Sequence, residues 1–254
     1  MNFTEIYNSS KRRTLTSLVL LFVILGIFLA DNVLLTWVFF GIVYLVAFYE
    51  SMSLFELKNN SYYVYAIAIW LSAYIYPNPD DMSFAIIIIA LSFMAHKKDV
   101  NFKLLFPFVY PTISMLFLFT LYKDFGIYSL VWLVSIVAGS DVGAYVIGKW
   151  IGKTPFSKTS PNKTWEGTIG GICVATILGT LVGLGSVNIV LSLLISLLTA
   201  LSSVWGDLFE SYLKREAGVK DSGNIFPGHG GMLDRIDGYM FASIVMLILL
   251  RGLL

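Results

Sequence analysis

The densest chemistry in the chain lies between Ser211 and Asp237, in SYLKREAGVKDSGNIFPGHGGMLDRID. Ser211, Lys214, Arg215, Lys220, His229, Asp234, Arg235 and Asp237 fall in this stretch, with Gly230 and Gly231 beside the histidine. Asp207 stands four residues upstream of Ser211. On a helix, Asp207, Ser211 and Lys214 recur at i, i+4 and i+7 and share one face, with Arg215 alongside. A carboxylate, a hydroxyl and a cation on one stripe suit a divalent metal plus phosphate. Asp234 and Asp237, three apart, share a face of the next helix. The glycines of GHGG offer backbone N–H groups that can be aimed at one anion. His229 can donate to a phosphate or act as an acid.

Two further stretches add to this set. SPNKTWEG puts Asn162 and Lys163 at a helix entrance, where free N–H groups favour anions, and Asn162 or Thr164 can cap that helix. Asp141 lies in an apolar run, flanked by the small residues Gly139, Ser140 and Gly143. Carboxylates inside apolar segments are costly and point to function. Each residue also has a structural reading. Asp234 can cap its helix and Asp237 can serve the helix dipole. Asp207 can pair with Lys163 or Lys214, and Asp141 can accept a hydrogen bond between helices. Gly143, Gly148 and Lys149 fit the start of a phosphate-binding loop, but Trp150 follows where Ser or Thr is needed and no strand precedes.

The elements that must carry these residues are apolar. Of 254 residues, 57% are hydrophobic and 13% charged, against roughly 25% charged in soluble domains, so lipid must supply the surroundings. A net charge of +1 gives no reason to expect a nucleic-acid partner. The single cysteine, Cys173, excludes an internal disulfide and is expected in the core. Runs long enough to cross a membrane cover 14–30, 32–50, 61–76, 82–96, 104–122, 126–148, 165–185, 188–209 and 235–253. The fold expected is therefore all-α and polytopic, with about nine transmembrane helices. With the N-terminus in the cytoplasm, 15 of the 17 Lys and Arg residues fall in inside segments or at their edge, leaving only Lys123 and Arg251 outside. The chain reads as one membrane domain. Residues 1–125 form N-terminal helices that serve as scaffold or as dimer and lipid contacts. Residues 126–254 form the catalytic half, with cytoplasmic loops 149–164 and 210–234.

Ser211 to Asp237 resembles the signature of the phosphatidate cytidylyltransferases, the CDP-diacylglycerol synthases. That pattern runs Ser, Lys-Arg, Lys-Asp, His-Gly-Gly, Asp-Arg, Asp. It is matched without departure by Ser211, Lys214-Arg215, Lys220-Asp221, His229-Gly230-Gly231, Asp234-Arg235 and Asp237. The similarity extends to SDVGAY, SPNKTWEG and the aspartate of WGDLFES, while the first five spans match in hydropathy only. The resemblance implies transfer of CMP from CTP to phosphatidate of the inner leaflet, giving CDP-diacylglycerol and pyrophosphate. It also implies Mg²⁺ with a possible second cation, a homodimer, and an inner-membrane protein whose site faces the cytoplasm. It makes Asp207 and Asp234 the metal pair, and with Lys163 and His229 the catalytic set. Ser211, Lys214, Arg215, Lys220, Gly230, Gly231, Arg235, Asn162, Asp141 and Asp237 are the expected substrate contacts.

Two other readings compete. A CDP-alcohol phosphotransferase would need an Arg where Ser243 follows Ala242. A transporter would need polar residues along a continuous path, whereas the outer halves of the spans look dry.

Overall fold

A computed structural model describes residues 21–97, 102–226 and 230–254. Lys11, Arg12, Arg13, Lys98 and His229, and the first part of the first expected span, lie outside the described residues. The described chain is helical: α1 (Leu21–Ala30), α2 (Val33–Leu54), α3 (Ser61–Ile75), α4 (Met82–Lys97), a short α5 (Leu105–Pro107), α6 (Ser114–Ile151), α7 (Trp165–Gly183), α8 (Ile189–Glu216) and α9 (Leu233–Leu253). Among the described residues, six helical segments are long and apolar enough to cross a membrane, so the chain is read as an integral membrane protein.

Between α5 and α6 the chain makes a π-helical turn, Phe108–Ile113. Pro111 lies inside it and lacks an N–H; the wider turn spares a clash with the preceding carbonyls. Helical structure is then continuous to Ile151 but breaks at Gly126, whose φ of 70° and ψ of −173° are non-helical. Ser129 Oγ donates to the Leu121 carbonyl at 3.1 Å, although eight residues of straight helix would separate them by about 12 Å. The helix therefore bends sharply at Gly126, between the two spans expected there.

The helices α6, α7, α8 and α9 close a ring in which each packs on the next. Small residues every four positions along α7 (Gly167, Gly171, Ala175, Gly179 and Gly183) form its buried stripe. A Cβ on Gly171 would lie 2.5 Å from the Ser140 carbonyl oxygen, and one on Gly143 would lie 3.0 Å from Gly171 Cα. This is close helix approach through small residues, the means by which helices associate in lipid. It also explains why glycines mimic a phosphate loop there. Cys173 is exposed rather than in the core, because it points away from that stripe.

Sequence boundaries needed one larger correction. The loop expected from residue 210 begins only after α8 ends at Glu216, because Glu210, Ser211 and Lys214 turn inward on the helix and are buried. The helix stops at Gly218, whose φ of +71° suits a glycine.

Candidate active site

The carboxylate-bearing face of α8 meets the first turn of α9. Gly206 makes this possible: a Cβ there would lie 2.6 Å from the Asp237 carbonyl oxygen. Gly238 does the same from the other side, where a Cβ would come within 2.7 Å of Ser203 Oγ. The two helices thus cross almost backbone to backbone, with Asp207 next to one glycine and Asp237 next to the other.

Lysines alternate with carboxylates across this crossing. Lys163 pairs with Asp207. Lys214 pairs with Glu210 one turn before it and with Asp234 Oδ1 at 2.6 Å. Glu210 is 1% exposed, and its carboxylate is held by the Lys214 ammonium on Oε2. Asp234 Oδ2 is held by three donors: Ser222 N at 2.9 Å, Ser222 Oγ at 2.9 Å and Gly231 N at 2.7 Å. Asp237 Oδ1 accepts from Gly238 N at 2.8 Å. Lys163, Arg235 and Asp237 are charged neighbours of Asp141.

Lys163 is presented by a folded loop. Phe156 N donates to the Lys163 carbonyl at 2.8 Å and Trp165 N to the Thr154 carbonyl at 2.9 Å. Thr164 caps α7 by accepting from Gly167 N at 3.2 Å, which decides between Asn162 and Thr164 as the cap. Glu166 accepts from the amides of Lys153 and Thr154 and from the Thr154 hydroxyl, tying the loop to the helix. Burial presses the Lys163 ammonium below the usual lysine range, while Asp237 and Asp141 pull it back up. A cleft of about 460 Å³ opens between α6, α7 and α8, lined by Ser140, Asp141, Tyr145, Asn162, Lys163 and Asp207.

The remaining residues singled out in the sequence divide in two. Ser211 is buried on α8 beside this crossing. Arg215 is exposed and donates to the carbonyls of Thr159 and Val219, bracing the two loops. Lys220 and Arg235 are exposed. Gly230 has a φ of +81°, and a Cβ there would lie 2.5 Å from Asp234 Oδ2, so glycine is required twice over. The Gly231 N–H, expected to face a phosphate, is directed to Asp234. Asp234 does not cap α9 with its own side chain; it gathers the loop that precedes it.

Three participants escaped the sequence reading. Glu210 sits three residues after Asp207 and four before Lys214, a spacing that places it on the same face. Ser222 carried no signal. Glu50 is the last residue of the second expected span and is 1% exposed. It accepts from Met232 N and Leu233 N, each at 2.9 Å, and from Ser222 Oγ at 3.0 Å. A carboxylate at the end of an apolar run was the available clue.

Such a set can bind anionic substrates and stabilise charge at a phosphorus centre. Comparison with known proteins agrees. Residues 11–253 match the profile of the cytidylyltransferase family. A phosphatidate cytidylyltransferase of Helicobacter pylori strain J99 is 44% identical over 243 residues, spanning 94% of this chain and 91% of that protein. The Staphylococcus aureus strain COL enzyme of the same name is 34% identical over 258 residues, 94% of this chain and 98% of that one. A chloroplastic relative from Arabidopsis thaliana, phosphatidate cytidylyltransferase 4, is 47% identical over 110 residues, 42% of this chain and 28% of its own. This chain belongs to the cytidylyltransferase family and is a nucleotidyltransferase.

Proposed function

We propose that the protein is a phosphatidate cytidylyltransferase, converting CTP and phosphatidate to CDP-diacylglycerol and pyrophosphate at the cytoplasmic surface of the inner membrane. The observation that carries this reading is the alternation of Lys163 and Lys214 with Asp207, Glu210 and Asp234 beside an open cleft. The phosphate monoester of phosphatidate is largely ionised at neutral pH. One of its oxygens attacks the α-phosphorus of CTP, the bond from that phosphorus to the bridging oxygen breaks, and pyrophosphate leaves. No strong base is needed, so catalysis is positioning and charge neutralisation.

Lys163, Lys214, Lys220 and Arg235 neutralise the triphosphate and lipid phosphate, while Arg215, expected to join them, braces the loops that present them. His229 and the Gly230 backbone donate to one of them, and Asn162 and Ser211 orient the substrates. Asp141 and Asp237 hold the cations in place between turnovers. Among the described residues, no three Asp, Glu, His or Cys side chains form a ready-made metal cage. Mg²⁺ does not require one, since it is commonly held by one or two carboxylates plus substrate phosphates. Asp207 and Asp234 are the pair that would hold it, and Glu210 and Asp234 share the single Lys214 cation, which leaves negative charge to balance. When bound, Mg²⁺ supplies neutralisation of the α-phosphate and the departing pyrophosphate.

The membrane reading is nine crossings with the N-terminus inside. The two arms of Leu105–Ile151, on either side of Gly126, are each about 33–38 Å long, enough for one crossing apiece. The Lys and Arg distribution then puts the carboxylate crossing in the cytoplasm. The test is transfer of radiolabel from α-³²P-CTP to lipid by purified protein in mixed micelles. Label in a lipid product only with phosphatidate and Mg²⁺ supports the reading. Label released as CMP, or no transfer by folded protein, refutes it.

A further inference from the structure

Glu50 belongs to α2, outside the half of the chain that carries the proposed chemistry. It lies one turn from the C-terminal end of α2, where the helix dipole disfavours a negative charge. It is nevertheless almost fully buried, which costs free energy unless the carboxylate is well bonded. Its bonds all go to the segment that builds the site. Two are the amides that open α9, Met232 and Leu233. These belong to the helix N-terminal set with no partner inside the helix, and α9 has no side-chain cap of its own. The third is Ser222 Oγ, which also touches Asp234 Oδ2. A hydroxyl carries one proton, so Ser222 sits as a shared spacer between the two carboxylates.

The glycines report the same clamp. A Cβ on Gly231 would lie 2.5 Å from each Glu50 oxygen, and one on Gly223 would lie 2.8 Å from Glu50 Cδ. Both loop backbones close directly onto this carboxylate. We propose that Glu50 is a positioning residue: it caps α9 from α2 and, through Ser222, fixes Asp234 so that its Oδ1 edge faces Lys214 and the substrate. This rests on the phosphatidate cytidylyltransferase reading.

The test compares wild type, Glu50→Gln and Ser222→Ala in nanodiscs, by steady-state kinetics and by hydrogen exchange. Glu50→Gln keeps the shape but offers an amide N–H₂ where N–H donors converge. It is expected to lower kcat by about tenfold, with KM for CTP and phosphatidate within about threefold. Exchange is expected to rise by about tenfold in peptides covering 230–236 and to stay unchanged in α6 and α7. Ser222→Ala removes only the spacer and is expected to lower kcat by about threefold with the same local exchange pattern. Wild-type kcat in Glu50→Gln, or faster exchange throughout the helices, would overturn the proposal. If Glu50→Gln does not accumulate, Ser222→Ala decides, and wild-type kcat and exchange there overturn it. Absence of cytidylyl transfer by the wild type would instead be a failure of the functional reading, while the exchange comparison would still test the clamp.

Discussion

Helix α9 carries a charged cluster at each end, and the two differ in how fully they are closed. At the far end, Arg251 donates to Asp80 Oδ2 at 2.6 Å and Oδ1 at 3.2 Å, and to Asp124 Oδ2 at 2.8 Å. Lys123 donates to the Tyr76 carbonyl at 2.7 Å and Tyr122 to Asp31 at 3.0 Å. The forked guanidinium matches its carboxylates and little is left over. At the near end, Asp141, Asp207, Glu210, Asp234 and Asp237 face Lys163, Lys214 and Arg235, and Glu210 and Asp234 share one lysine. A glycine crossing and an open cleft accompany them. One cluster is a fastener for the bend at Gly126 and the turn at Pro79–Asp81. The other holds surplus negative charge and space, which a structural role would not need. The helix ends expected from the sequence to lie outside are therefore not dry, as hydropathy suggested. Their polar groups pair among themselves instead of lining a path, so they lend no support to a transporter.

Substitutions can break or sharpen this contrast. The largest effect is expected at Asp207: Asp207→Ala should lower kcat by about 10³-fold, with an unchanged elution profile and melting curve in detergent. Lys214→Ala should damage both function and stability. It leaves Glu210 and Asp234 buried without their shared cation, a loss of about 3–5 kcal/mol that thermal unfolding would register, and kcat should fall by about 10²-fold. Gly171→Leu acts at a distance from the charges by forcing α7 off the Ser140 carbonyl. Overpacking of this kind costs about 1–3 kcal/mol, and kcat should fall about tenfold as Lys163 and Asp141 separate. Arg251→Ala should have the smallest effect. Its side chain is 35% exposed, so about 1 kcal/mol of stability is expected to be lost, with kcat within about twofold of wild type. Equal loss of activity in Arg251→Ala and Asp207→Ala would erase the distinction.

Much of the architecture was legible because lipid makes hydropathy a direct record of helix position. The expected spans 61–76, 82–96 and 165–185 coincide closely with α3, α4 and α7. The site was legible where spacing is local. Asp207 and Lys214 lie on one face, and the signature picked out Asp234. Asp207 does make an ion pair with Lys163, one of the structural readings, and such pairing is compatible with a site whose cation is exchanged for substrate and metal. What stayed hidden was contact between distant segments. Glu50 meets Ser222 across 172 positions, and no periodicity encodes that meeting. Arg215 shared the signature yet faces the loops, because its carbonyl partners, Thr159 and Val219, are set by loop geometry. The span boundary at 209 fell short for a different reason: hydropathy scores the charged end of α8 as solvent, while Glu210 and Lys214 there are buried as an ion pair.

The most direct measurement is pyrophosphate release by wild type, Asp207→Ala and Arg251→Ala in nanodiscs, with phosphatidate, each of the four NTPs, and Mg²⁺ present or absent. The expected result is release by wild type and Arg251→Ala only with CTP, phosphatidate and Mg²⁺ together, and release about 10³-fold slower by Asp207→Ala. Release without phosphatidate, release undiminished in Asp207→Ala, or no release by folded wild type would contradict the assignment of the near-end cluster as the centre of cytidylyl transfer.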